Sequence, residues 1–206
     1  MDPLGESLVS TPRDHSSVPT LLQSPKFFLL LFQIDQDEAA KTHAGHCQWC
    51  GGVLHRANYP RKPRGCPKEV RADYESRFSF CCKTCRRRTT SKSVRFLGRR
   101  VYLALIVVLA SVRHDKPTPA VARASALLNV PALTLQRWRQ WWAQQFPLTP
   151  LWQAACARFM PPVPTELFPA SLLERFIGDA EEALMRLLVF LKPMSVGHPI
   201  TLQGGH

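Results

Sequence analysis

The 206-residue sequence predicts an α+β fold, mostly α, in which a small cysteine-bearing β unit precedes a set of helices. Three observations predict it. Two C-x-x-C pairs, Cys47/Cys50 and Cys82/Cys85, bracket a segment rich in Gly, Pro and basic residues. Apolar side chains alternate along FSFCC at 78–82, the period of a half-buried strand. From residue 99 onward the apolar residues recur instead at helical spacing.

Taken in order, residues 1–42 read as a variable, disordered N-terminal segment. The first 25 are rich in Ser, Pro and charge, KFFLLLFQI is a candidate strand or docking segment, and DQDEAAK is acidic. Residues 43–97 hold six of the seven cysteines. RRVYLALIVVLASVRH, from 99, is apolar around nearly its whole circumference and predicts a buried helix. PAVARASALLNV at 119–130 predicts a second, Ala-rich helix, and ALTLQRWRQWWAQQF at 132–146 a third. Residues 147–170 carry most of the C-terminal prolines, PPVP among them, and predict an extended linker. Residues 171–206 predict a last amphipathic helix and a loose tail. Its stripe of Leu172, Phe176, Ala180, Leu184, Leu187 and Leu191 either folds back on the core or, as its place behind a proline linker favours, meets a partner or a second copy.

Charge is concentrated rather than spread. The chain carries +12, yet residues 1–55 are net −3 and residues 117–206 net +2, while residues 56–116 are net +13. A charge gathered this way suits a polyanion-binding face. The N-terminus lacks the pattern of a secretory signal, and FFLLLF is far too short to span a bilayer. The expected compartment is therefore a reducing cytoplasm, where clustered cysteines indicate metal rather than disulfides.

Two C-x-x-C pairs supply four thiolates, the donor set of a closed tetrahedral zinc site. Gly51 and Gly52 permit the tight turn after the first pair. The 31 residues between Cys50 and Cys82 exceed the roughly 15–20 of a compact ribbon, and the basic insert HRANYPRKPRGCPKEV accounts for the excess. Cys81 and Cys66 are alternative ligands, with His43, His46 and His55 as lesser rivals. The x₂ spacing favours Cys82 over Cys81. A segment this polar needs the metal for folding energy, so Zn²⁺ is expected in a structural role.

Two further groups point to DNA. The short break at Asn129-Val130-Pro131 between two helices has the layout of a helix-turn-helix. Leu135, Trp138 and Trp142 make one buried face of the second helix and leave Thr134, Gln136, Arg137 and Gln140 for base edges. Arg86, Arg87, Arg88, Lys92, Arg95, Arg99 and Arg100 follow the second cysteine pair and suit phosphate contacts, which position rather than specify.

The motifs CQWCGG at 47–52, FCCKTCRRR at 80–88 and LLNVPALTLQRWRQWW at 127–142 resemble, in this order, the N-terminal DNA-binding region of bacterial insertion-sequence transposases and of their small accessory proteins. The resemblance covers residues 43–146. It implies a zinc ribbon at 43–97 and a helix-turn-helix unit at 98–146, together binding the duplex ends of a mobile element. Catalysis is not carried over. Glu166, Glu174, Asp179, Glu181 and Glu182 do not form the spaced carboxylates that would hold two metal ions. The expectation is a non-enzymatic DNA-binding accessory or regulatory protein, cytoplasmic and nucleoid-associated, with no membrane and no small-molecule substrate. Its protein partner would be a transposase or a second copy. The alternatives are the DNA-binding subunit of a split transposase and an RNA-binding zinc protein.

Overall fold

The computed structural model describes residues 21, 24–97, 103–112 and 130–196. Helix α1 spans Pro25–Ala44, where a strand or a variable segment was expected. Ser24 caps it by accepting the Phe27 N–H, and Pro25 occupies the first turn, where a missing donor costs nothing. Phe28, Leu31, Asp35 and Ala39 form its buried stripe at helical spacing. The acidic DQDEAAK run hid that stripe, because one of its carboxylates belongs to it.

Two small sheets follow. Strands β1 (Leu54–Arg56), β4 (Ser79–Cys82) and β5 (Arg88–Thr90) form an antiparallel sheet in the order β1-β4-β5. Leu54 opposes Cys82, His55 opposes Cys81, and Cys81 opposes Arg88. Strands β2 (Tyr59–Pro60) and β3 (Ser76–Arg77) make a second antiparallel pair. The inserted segment between them is not a free loop. It carries a short helix α2 (Arg71–Tyr74), and Val70 and Tyr74 enter the main core, with the Tyr74 hydroxyl donating to the Phe28 carbonyl at 2.7 Å.

The helical body comprises α3 (Ala104–Ser111), α4 (Ala132–Gln140), α5 (Pro150–Ala155), α6 (Ala170–Leu173) and α7 (Ala180–Leu191). Helix α3 is buried along nearly all its length, as its all-round apolarity predicts. Trp138, Trp141 and Trp142 lie in the core. Trp142 packs on Phe146 with ring centroids 4.7 Å apart, and Phe146 packs on Phe168 at 5.2 Å. The expected helix at 119–130 lies outside the described residues except for Val130, so the first half of the helix-turn-helix layout does too.

Two expectations for the C-terminal third are corrected. Residues 147–170 are not an extended linker: Trp152, Val163 and Phe168 are buried in the same core as α1 and α3. The prolines sit where they do no harm, as at Pro150, the first residue of α5, which Thr149 caps. The apolar stripe of 171–191 is likewise folded inward. Leu172, Leu184, Leu187 and Leu191 are fully buried, so the surface expected to meet a partner is already covered by the chain itself. Gly178, at φ 117°, separates α6 from α7, and Asp179 caps α7 through the Glu182 N–H.

At the junction of these parts lies a buried polar network. Asp35 accepts from the Ser93 hydroxyl (2.5 Å), the Val94 N–H (2.7 Å) and Arg95 Nε (2.7 Å), with both charged side chains fully buried. The Arg95 guanidinium also donates to the Asp73 carbonyl and lies about 5 Å from the ring centroids of Phe32, Tyr74, Phe78 and Phe96. Arg77 donates to the Ser91 carbonyl at 2.6 Å. Ser195 accepts the Ser93 N–H at 2.8 Å across 102 residues of chain. Among the described residues no helix is long and apolar enough to cross a membrane.

Candidate metal centre and basic surface

The sulfurs of Cys47, Cys50, Cys82 and Cys85 all lie within 4.8 Å of one another. Two of the contacts, Cys47–Cys85 and Cys50–Cys82, are 3.5 Å. A tetrahedron with Zn–S bonds of about 2.3 Å has S···S edges of about 3.8 Å, so the spacing of the four sulfurs is compatible with a Zn²⁺ ion. All donors are soft thiols and none is a carboxylate, which suits zinc over magnesium or calcium. A site filled by four protein ligands has no open position for a substrate or a water.

The local backbone explains the convergence. Each cysteine pair closes with the same two hydrogen bonds. In the first, the Gly51 N–H donates to the Cys47 carbonyl (2.8 Å) and the Cys47 N–H to the Gly52 carbonyl (3.0 Å). In the second, the Arg86 N–H donates to the Cys82 carbonyl (3.1 Å) and the Cys82 N–H to the Arg87 carbonyl (3.0 Å). The two knuckles are therefore structural repeats, with Gly51 matching Arg86. Both positions have left-handed backbone, φ 68° at Gly51 and 59° at Arg86. Gly52 is needed for a second reason: a Cβ there would come within 2.7 Å of Thr84 Oγ1 and 3.0 Å of Cys82 Sγ.

The electrostatics are those of crowded thiols. The Cys85 N–H donates to the Cys82 sulfur at 3.5 Å and helps lower that thiol to about 6. Burial opposes ionisation of Cys47, but the N–H groups of Trp49 and Cys50 and the neighbouring thiols hold it below its ordinary value. Cys85 moves the other way, to about 12. The Arg87 N–H favours its thiolate, but burial and the three surrounding sulfurs outweigh it. Bare, the cluster shares protons; a bound cation would deprotonate all four.

The rivals separate cleanly. Cys81 precedes Cys82 on β4, sits opposite His55 and Arg88, and its thiol donates to the Arg86 carbonyl at 3.5 Å. Cys66 packs against the main core, where burial pushes its thiol up to about 12. Neither joins the four-sulfur cluster, and among the described residues His43, His46 and His55 do not join it either.

No protein-family model, curated protein or solved structure matches the chain.

Of the residues expected at a nucleic-acid surface, Arg86, Arg87, Arg88 and Lys92 are exposed. Arg88 is partly committed, since it donates to the Ala57 carbonyl at 2.5 Å. Arg95 is corrected: it is fully buried against Asp35 and cannot reach a phosphate. Arg99 and Arg100 lie outside the described residues. On α4, Gln136, Arg137 and Gln140 are exposed and Thr134 is half-buried. Sequence reasoning missed Trp49, inside the first C-x-x-C. It is 46% exposed, and the Arg87 guanidinium lies 5.5 Å from its ring centroid. An aromatic at the tip of a metal knuckle was the available signal.

Proposed function

We propose that the protein is a zinc-stabilised, non-catalytic DNA-binding factor of a mobile genetic element, an accessory or regulator that engages duplex DNA such as the element's ends. Arg86 carries this reading. It stands in the left-handed position that its repeat fills with glycine, a conformation that costs a non-glycine residue about 1–2 kcal/mol. Backbone strain of this kind persists where the surrounding structure imposes it, and it clusters at functional sites. Here the residue is an exposed arginine, followed in sequence by the exposed Arg87 and Arg88. The zinc fixes the turn that presents them, and the guanidiniums hold phosphates. Gln136, Arg137 and Gln140, exposed on α4, supply polar groups for base edges.

The test is binding of the zinc-loaded chain to labelled duplex DNA across a salt series, with RNA of equal length as competitor. Affinity should fall by about 0.9 log unit per log unit of salt for each phosphate contacted. Alanine at Arg86, Arg87 and Arg88 together should flatten that slope. A salt-independent affinity, or no affinity, would sink the reading; RNA displacing the duplex would move it to an RNA-binding zinc protein.

A further inference from the structure

Trp49 is the one aromatic among the large apolar residues that the described chain leaves exposed; Trp138, Trp141, Trp142 and Trp152 are buried. Its own knuckle does not need the ring. The repeat closes with the same hydrogen bonds and carries Thr84 at the matching place. The ring is also absent from the small core that backs the four cysteines. An indole on a turn pinned by two backbone hydrogen bonds has only its two side-chain torsions left to fix, so it meets a ligand at little entropic cost.

Its surroundings specify what that ligand is. Arg87 lies over the ring, Val53 beside the turn is 49% exposed, and Lys83 and Arg86 are exposed on the neighbouring knuckle. A flat apolar surface rimmed with fixed positive charge matches a nucleobase joined to its phosphate: the base stacks and the guanidinium pairs with the anion. Bases inside a duplex are already stacked on both faces. Apart from the outer face of a terminal pair, only an unpaired nucleotide presents a free face.

We propose that Trp49 and Arg87 form a stacking site for an unpaired nucleotide, as in the single-stranded tail at a DNA end. This rests on the reading of the protein as DNA-binding and adds the kind of end it prefers.

The experiment compares a blunt duplex with the same duplex carrying a short single-stranded tail, using the zinc-loaded full chain. The wild-type protein should bind the tailed DNA about tenfold more tightly, the scale of one stacked base. Tail binding should also quench the emission of the exposed tryptophan. Trp49→Thr installs the residue of the repeat and so keeps the knuckle. It should retain zinc and blunt-duplex affinity and lose both the tail preference and the quenching, whereas Trp49→Phe should keep part of the preference. Equal wild-type affinity for both DNAs overturns this site and leaves the duplex reading standing, as does a tail preference that survives Trp49→Thr. Binding to the tailed DNA alone supports the site and overturns the duplex reading. Failure to bind either DNA overturns both.

Discussion

The ribbon and the helical body are held together by different means. The body gathers aromatic and aliphatic side chains from α1, α3, α4, α5 and α7 into one continuous core. The ribbon's small core consists of Cys47, Leu54, Phe80 and Cys82 with Ala39 of α1, and Phe78 and Cys85 lie against it. Cysteines make up much of that cluster, so the ribbon without metal has few apolar groups to bury. The contrast teaches that charge and burial compete for the same short segment. A segment this short and this basic carries few apolar side chains, and a metal held by its four thiolates would replace the missing burial.

The largest effect should separate the two regions. Removing the metal by chelation, or Cys47→Ser or Cys85→Ser, withdraws stabilisation on the order of 10 kcal/mol from the ribbon. Amide exchange should then accelerate through β1, β4 and β5 while α3 and α7 stay protected. Cys81→Ser should leave metal content unchanged. Loss of protection throughout the chain would mean that ribbon and body unfold as one unit and that the contrast is wrong.

Next in size is the network that joins them. Asp35→Ala leaves Arg95 charged and buried without its carboxylate, which should cost about 3–5 kcal/mol in urea unfolding. Ser195→Ala removes the acceptor of the Ser93 N–H and a contact of Arg77, and should cost about 1–3 kcal/mol by the same measurement. The smallest effect has the opposite sign. Arg86→Gly relieves left-handed backbone and should stabilise the ribbon by about 1 kcal/mol or less. The same substitution should weaken DNA binding. A variant both more stable and equally tight would remove the reason given for Arg86.

The legibility of these features from sequence follows their range. The four-cysteine cluster was readable because C-x-x-C spacing is local, and so was the choice of Cys82, whose spacing repeats that of Cys47 and Cys50. Arg95 was not readable. It looks like the other basic residues around it, and its burial depends on Asp35, 60 residues away. Helix α1 was obscured for the same reason from the other end, since a carboxylate on its inner face imitates a solvated acidic run. The prolines of 147–170 suggested a linker because composition does not reveal that Pro150 falls at a helix start. The inward packing of α7 depends on which surfaces remain open in the body, which no periodicity in the helix itself encodes.

Ser195 has a consequence for the order in which the chain becomes itself. A ribosome delivers residues at about 5–20 per second, N-terminus first. All four cysteines precede residue 86, so they are synthesised more than 100 residues before Ser195. Ser93 and Arg77, by contrast, wait for a partner made 102 and 118 residues after them. Synthesis therefore imposes an order: the four thiols are in place before the body can close through Ser195.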